Sequence, residues 1–222
     1  MTQRLALFDL DNTLLNGDSD HAWGEFLIER GLVSAKSHAA ANDAFYRQYE
    51  EGTLNIHDYV RFTLAPVLKF SQVELVQMHQ EFTEKFVLPM VLPAAVELVN
   101  RHLSEGDYCV IITATNSFVT SPIAQMFGVD KLIATELELI DGHYTGEISG
   151  IPCFQEGKVQ RMSQWLNAMA STEFSLENSI FYSDSINDLP LLKLAGQAIA
   201  VDPDKKLKLE ADKREWKCLS LR

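Results

Sequence analysis

Asp9 and Asp11 stand two residues apart in the segment Leu5-Ala6-Leu7-Phe8-Asp9-Leu10-Asp11-Asn12-Thr13, straight after an apolar run short enough to be a buried strand. In an extended chain residues i and i+2 project to the same side, so the two carboxylates share a face. Like charges at one strand end repel each other, and they need a cation or a shared proton to coexist. A carboxylate is also a usable nucleophile towards phosphorus, forming an aspartyl phosphate. Taken alone, the segment also reads as a strand followed by an acidic turn; what decides is whether the rest of the chain supplies the partners such a pair needs.

Three further stretches do so. Val110-Ile111-Ile112-Thr113-Ala114-Thr115-Asn116 is a second buried strand running into hydroxyls, Gly157-Lys158 opens an amphipathic helix pattern, and Phe181-Tyr182-Ser183-Asp184-Ser185-Ile186-Asn187-Asp188 is a strand ending in two acids four residues apart. In this order they resemble the four signatures of the haloacid dehalogenase superfamily: DxDxT, a strand-end Ser/Thr, a Lys and an acidic loop. The resemblance extends from Leu5 to the last expected strand and is nearest to the phosphoserine-phosphatase-like branch, with its helical insert after the first signature. Ser183 stands where that branch usually has Gly, and Thr113-Ala114-Thr115 where phosphoserine phosphatases typically show Ser-Gly-Gly.

The resemblance implies roles. Asp9 is the nucleophile and a Mg²⁺ ligand with Asp184 and the backbone carbonyl of Asp11. Asp11 is the general acid and base, Asp188 lies beside the metal, and Lys158 neutralises a phosphate oxygen and Asp9. The Thr113 hydroxyl, the Ala114 backbone N–H and Asn187 hold the phosphoryl group. The substrate is then a small phosphorylated metabolite, phosphoserine-like or histidinol-phosphate-like, with Asp18 or Asp20 as candidates for a substrate amine and Arg47 or Arg61 for a carboxylate. A phosphomutase or phosphotransferase of the same superfamily is the alternative. A receiver-like phospho-Asp switch is a remote one, because receivers have no insert after the first acidic strand.

The elements that must bring these residues together follow from the pattern. From Pro93 onward strands and helices alternate: helix 94–105, strand 108–112, helix 117–127, strand 132–135, helix 158–169, strand 180–183, helix 188–194, strand 198–201. That alternation predicts an α/β fold, a doubly wound parallel-sheet Rossmann-like core with helices on both faces. Ligands of such sheets bind beyond the carboxyl ends of the strands at the switch point, where Asp9, Thr113 and Asp184 fall. Asp141-Gly142 marks a hairpin within 136–146. Residues 17–88 read as a helical cap inserted after the first strand, leaving 1–16 and 89–222 as the core. Within it Asn55 is a candidate cap, and Ser71 with Glu74 a capping box for a helix carrying Val73, Val76 and Phe86 among its apolar positions. Met126 and Met162 read as core filler, the six histidines as surface or helix residues in no ligand cluster, and 205–222 as a solvated terminal helix.

Composition sets the outer limits. Apolar residues make up 46% and charged residues 23% of the 222, as in an ordinary soluble globular protein. A formal charge of −12 argues against a nucleic-acid partner and requires any phosphate site to be made positive locally. Cys109, Cys153 and Cys218 form no metal-ligand spacing and read as reduced thiols. No basic segment leads into a long apolar run, so a cytoplasmic enzyme is expected, a monomer or small homo-oligomer without a membrane partner.

Overall fold

Leu5 and Leu7 face one apolar cluster and Ala6 and Phe8 another, so β1 (Leu5–Phe8) is covered on both sides and lies mid-sheet. The computed structural model, which describes residues 3–169 and 174–222, builds around β1 a six-stranded sheet in the order β3-β2-β1-β6-β7-β8, each neighbouring pair parallel. The chain first adds β2 (Tyr108–Asn116) and β3 (Lys131–Thr135) on one side of β1. It then crosses to add β6 (Ser179–Ser183), β7 (Gln197–Val201) and β8 (Lys217–Leu219) on the other. The switch point therefore falls at the carboxyl end of β1. Phe8 pairs with Ile111 and with Tyr182, which brings Asp9, Thr113 and Asp184 to nearly the same level along the sheet.

Between β1 and β2 the chain is helical: α1 (Ser19–Glu29), α2 (Ala35–Glu51), α3 (Ile56–Leu64) and α4 (Gln72–Phe82). Local chemistry sets their ends. Asp18 caps α1 by accepting from the His21 N–H, Asn55 caps α3, Ser71 and Glu74 form the capping box of α4, and α2 stops at Gly52 in the left-handed region (φ 78°). After α4 a π-helical stretch, Thr83–Val87, leads into the short α5 (Leu88–Met90). Such a widened turn tolerates Pro89, which has no N–H to give. Then come α6 (Pro93–Ser104), α7 (Ser117–Phe127), α8 (Glu156–Ala168), α9 (Leu189–Leu192) and α10 (Lys205–Lys213). The hairpin of β4 (Leu137–Ile140) and β5 (His143–Ile148) turns at Asp141 (φ 51°) and Gly142 (φ 77°), the paired positive φ that Asp-Gly favours.

Four details depart from the sequence reading. The terminal segment is not only a helix: after α10, whose Leu207 and Ala211 are buried, the chain adds β8 to the sheet edge. Val73 and Val76 are exposed, at 69% and 57%, because α4 turns Leu75, Met78 and Phe82 inward instead. Met126 is exposed while Met162 is buried. Of the histidines, His38, His79 and His102 are buried within α2, α4 and α6, helix residues as read, and the departure lies in the grouping of one of them. His102 also belongs to a close cluster with Glu105 and Asp107, at the amino end of β2. Arg4 already occupies that cluster, donating from Nε to Asp107 (3.0 Å), while His102 Nδ1 meets the same carboxylate at 2.7 Å. Among the described residues no helix is long and apolar enough to cross a membrane.

Candidate active site

The short β1 delivers Asp9 and Asp11 to the switch point, and each carboxylate is held differently. Asp9 is buried, and its Oδ1 accepts from Lys158 Nζ at 2.9 Å. Burial pushes its carboxyl up; Lys158 pulls it back, and Asp11 nearby adds to the upward push. Asp11 accepts from the Ser19 N–H at 2.6 Å, at the start of α1, and from the Thr115 hydroxyl at 2.8 Å. Burial first, then the charge of Asp18, push Asp11 up to about 7 against those hydrogen bonds. A carboxyl near neutrality suits a group that must both give and take a proton.

Lys158 is 1% exposed and spans two acids, reaching Asp188 Oδ2 at 2.8 Å as well as Asp9. Burial works against the ammonium, but the charges of Asp188 and Asp9 outweigh it and keep the lysine protonated. Ser183 donates to Asp188 at 2.7 Å, and burial leaves that carboxyl raised to about 6. Lys158 reaches so far in because α8 starts hard against its own loop. A Cβ at Gly157 would lie 2.0 Å from the Pro152 carbonyl oxygen, so that position admits only glycine. Asp184 is fixed by Thr13, whose hydroxyl donates to Oδ1 (2.9 Å) and accepts from the Asp184 N–H (3.0 Å). Burial, then Asp9, hold its carboxyl well above the ordinary range.

Asp9, Asp11, Thr113, Ala114 and Thr115 line one cavity, closed from above by Asp18, Asp20 and side chains of α2 and α3: Phe45, Tyr46, Tyr49, Ile56 and Tyr59. Asp20 is 4% exposed and among the described residues has one long side-chain hydrogen bond, from Asn116 Nδ2 at 3.4 Å; burial, then Asp18 and Asp11, push it well above the ordinary carboxylate range. Tyr59 and Tyr49 are likewise pushed up by burial and by surrounding acids, and stay neutral.

Not every expected residue comes here. Arg61 turns outward to Glu147 of β5, donating from Nε and Nη2 at 2.8 and 2.9 Å, and Arg47 is exposed outside the cavity wall. Neither is placed to meet a substrate carboxylate. Asn187 is adjacent to Asp188, but its amide is engaged by the Tyr49 carbonyl and by Gln155. The sequence reading missed Thr115 and the aromatic wall. Thr115 was findable, since it lies two residues past Thr113 on the same strand; the aromatics of α2 and α3 carry no motif.

The donors around Asp9 are all hard oxygens: the carboxylates of buried Asp9 and half-buried Asp184, with the Asp11 main-chain carbonyl between them in sequence. Asp9 and Asp188 share one ammonium while Asp11 and Asp184 crowd Asp9, an excess of negative charge that a divalent cation would offset, so the residues present fit Mg²⁺.

Comparison with known proteins gives the family of the chain. Residues 6–193 match the model of the haloacid dehalogenase-like hydrolase family. A histidinol-phosphatase of Neisseria meningitidis is 43% identical over 221 residues, covering 99% of this chain and all of that protein. A protein of unknown function from Bordetella pertussis superposes over the whole of both chains with a TM-score of 0.91 and 44% identity. A substrate-bound phosphoserine phosphatase complex, covering 99% of this chain and 93% of its own, shares the fold at a TM-score of 0.72 and 20% identity. The chain belongs to the haloacid dehalogenase-like hydrolases.

Proposed function

We propose that this hydrolase cleaves phosphate monoesters of small amino alcohols, through a phosphorylated Asp9 and with Mg²⁺, and that histidinol-phosphate-like substrates suit it better than phosphoserine-like ones. The observation that carries the chemistry is the pairing of a lysine-held Asp9 with an Asp11 pushed up to about 7 in the same cavity. Asp9 attacks phosphorus, the bond from phosphorus to the ester oxygen breaks, and protonated Asp11 gives its proton to the departing alkoxide. Asp11, now a carboxylate, takes a proton from water; the water oxygen attacks the aspartyl phosphate, inorganic phosphate leaves and Asp9 is restored. Lys158 balances the charge of Asp9 and of a phosphoryl oxygen, while the Thr113 hydroxyl and the Ala114 N–H hold the other oxygens. Asp9, Asp184 and the Asp11 carbonyl would hold Mg²⁺, which when bound would supply positive charge where an anion meets a carboxylate.

The substrate reading rests on the cavity wall. Beyond the phosphoryl site it offers Asp18, Asp20 and four aromatic rings, and among the described residues no lysine or arginine lines it. Acids and aromatic faces receive an ammonium or imidazolium, whereas a carboxylate there would be buried without a partner. Asp18 is partly committed as the cap of α1, which leaves Asp20 as the acid short of partners. Residues 17–88 thereby act as the specificity cap over the core. The three unpaired thiols fit a cytoplasmic enzyme.

Release of inorganic phosphate from histidinol phosphate, phosphoserine and p-nitrophenyl phosphate, with Mg²⁺ and after exhaustive chelation, tests the whole reading. The expected result is Mg²⁺-dependent release, with the carboxylate-free amine favoured over phosphoserine by about tenfold or more in kcat/KM, the scale of one unpaired buried charge. Activity surviving chelation removes the metal, equal rates remove the substrate assignment, and an isomerised phosphate ester in place of free phosphate means a mutase. Asp20→Asn is expected to raise KM for the amino-alcohol phosphate by roughly 10- to 100-fold, the scale of a hydrogen bond to a charged group, and to leave p-nitrophenyl phosphate within about twofold. An equal fall in kcat on both substrates would place Asp20 in support of the reacting groups instead.

A further inference from the structure

The cavity above Asp9 measures about 30 Å³, room for a water or two and not for a phosphorylated metabolite. Its roof includes Tyr46 and Tyr49, in the last turns of α2, so α2 must withdraw for substrate to enter and return for water to be excluded. What holds that end of α2 down is specific. A helix leaves its last carbonyls short of intrahelical partners, and here three donors from the other side of the cleft reach them, at Tyr49 in addition to the Gly52 N–H (3.1 Å). Asn187 Nδ2 donates to the Tyr49 carbonyl (2.8 Å), Gln155 Nε2 to the Gly52 carbonyl (3.2 Å), and Lys206 Nζ to the Glu50 carbonyl (3.3 Å). Gln155 Nε2 also donates to Asn187 Oδ1 at 3.2 Å, which joins two of the donors into one unit. The approach is close: a Cβ at Gly52 would stand 3.3 Å from Asn187 Oδ1 and 3.4 Å from Gln155 Nε2.

Both amides lie next to the catalytic charges. Gln155 is three residues before Lys158, and Asn187 immediately precedes Asp188, the second carboxylate on that lysine. Gln155 moreover holds a left-handed backbone (φ 49°, ψ −121°) that a non-glycine residue adopts only where its surroundings enforce it. We propose that Gln155 is a positioning residue: with Asn187 and Lys206 it forms a clasp on the carboxyl end of α2 that sets how much of the enzyme is closed over substrate. The assignment of Asn187 to this clasp explains why its amide faces α2 and not the phosphoryl site.

This rests on the phosphatase reading above, and the test separates the two. Gln155→Glu keeps the shape but turns the donor into an oxygen facing the Gly52 carbonyl and Asn187 Oδ1. Loss of one or two such bonds shifts an open–closed equilibrium by roughly three- to tenfold per bond. The expected result is a KM for the amino-alcohol phosphate raised by that factor with kcat within about twofold, and hydrogen exchange of the amides of 46–53 accelerated by a similar factor. Lys206→Ala, at an exposed position, should move both in the same direction by less, and it carries the test if Gln155→Glu does not fold. A fall in kcat at constant KM would mean that Gln155 only braces the helix of Lys158, and unchanged exchange at 46–53 would mean there is no clasp; either overturns the proposal. If the wild type cleaves no phosphate ester, the functional reading fails, while the exchange measurement still decides the clasp.

Discussion

Asp9→Asn is expected to lower turnover of every phosphate ester by about 10⁴-fold or more while leaving the fold intact. An amide oxygen can still accept from Lys158, so the geometry survives, but it cannot form a bond to phosphorus that water then cleaves. Losses of that size are typical when a nucleophile is removed and the binding machinery stays. Stability should move little, or upward. Burial raises the Asp9 carboxyl above its ordinary value despite the lysine beside it, so the folded protein disfavours a charge here, and a neutral side chain relieves that. Steady-state kinetics and thermal melting of the purified, metal-free variant give both answers. In the wild type, acid quenching during turnover should leave a phosphoryl group on the peptide containing Asp9. Normal turnover by Asp9→Asn would exclude the covalent route.

The sheet and the residues at its strand ends were legible because they depend on short-range patterns. An apolar run ending in an acid identifies β1 and Asp9 together, and the same logic found Asp184 and Asp188 after β6; Thr113 was expected at the end of a strand 108–112, but β2 runs on past it to Asn116. Gly157-Lys158 was legible only by resemblance; the steric reason for the glycine, a carbonyl 2.0 Å from its absent Cβ, exists only in the folded chain. Other features depend on contacts between distant segments. Arg61 pairs with Glu147, 86 residues away, and nothing near Arg61 announces it. The lining aromatics of α2 and α3 look like any half-apolar helix face until docking turns them over Asp20. On α4 the apolar positions were read, but the face was not: Val73 and Val76 fit the spacing as well as Leu75 and Met78, and only packing on α1 and α7 chooses between them. β8 escaped because Lys217-Cys218-Leu219 is short, follows a lysine-rich helix and lies at the sheet edge, where a polar strand is tolerated.

Asp11→Asn should impair the enzyme in a way that depends on the leaving group. The substitution preserves size, and the amide oxygen can still accept from the Ser19 N–H while the amide NH2, in place of the second oxygen, can donate to the Thr115 hydroxyl, so positioning changes little. What disappears is proton transfer, which contributes roughly 10²–10⁴-fold where a general acid is needed. An alkyl phosphate needs it, because the departing alkoxide is strongly basic. A nitrophenolate leaves unprotonated, so the penalty on its phosphate ester should be confined to hydrolysis of the aspartyl phosphate and be visibly smaller. The wild-type pH profile should carry the same signature. Asp11 is pushed up to about 7 by burial and by Asp18, and its acid form is the one that assists the alkoxide. Cleavage of the alkyl ester should therefore decline as pH rises above about 7, while formation of the phosphoenzyme from the nitrophenyl ester, followed as a burst of nitrophenolate, should not decline over the same range. In Asp11→Asn the alkaline decline should vanish. Equal penalties on both esters, or an alkaline limb that persists in the variant, would assign the proton to another group, and the raised carboxyls of Asp20 and Asp188 in and beside the cavity would be the next to vary.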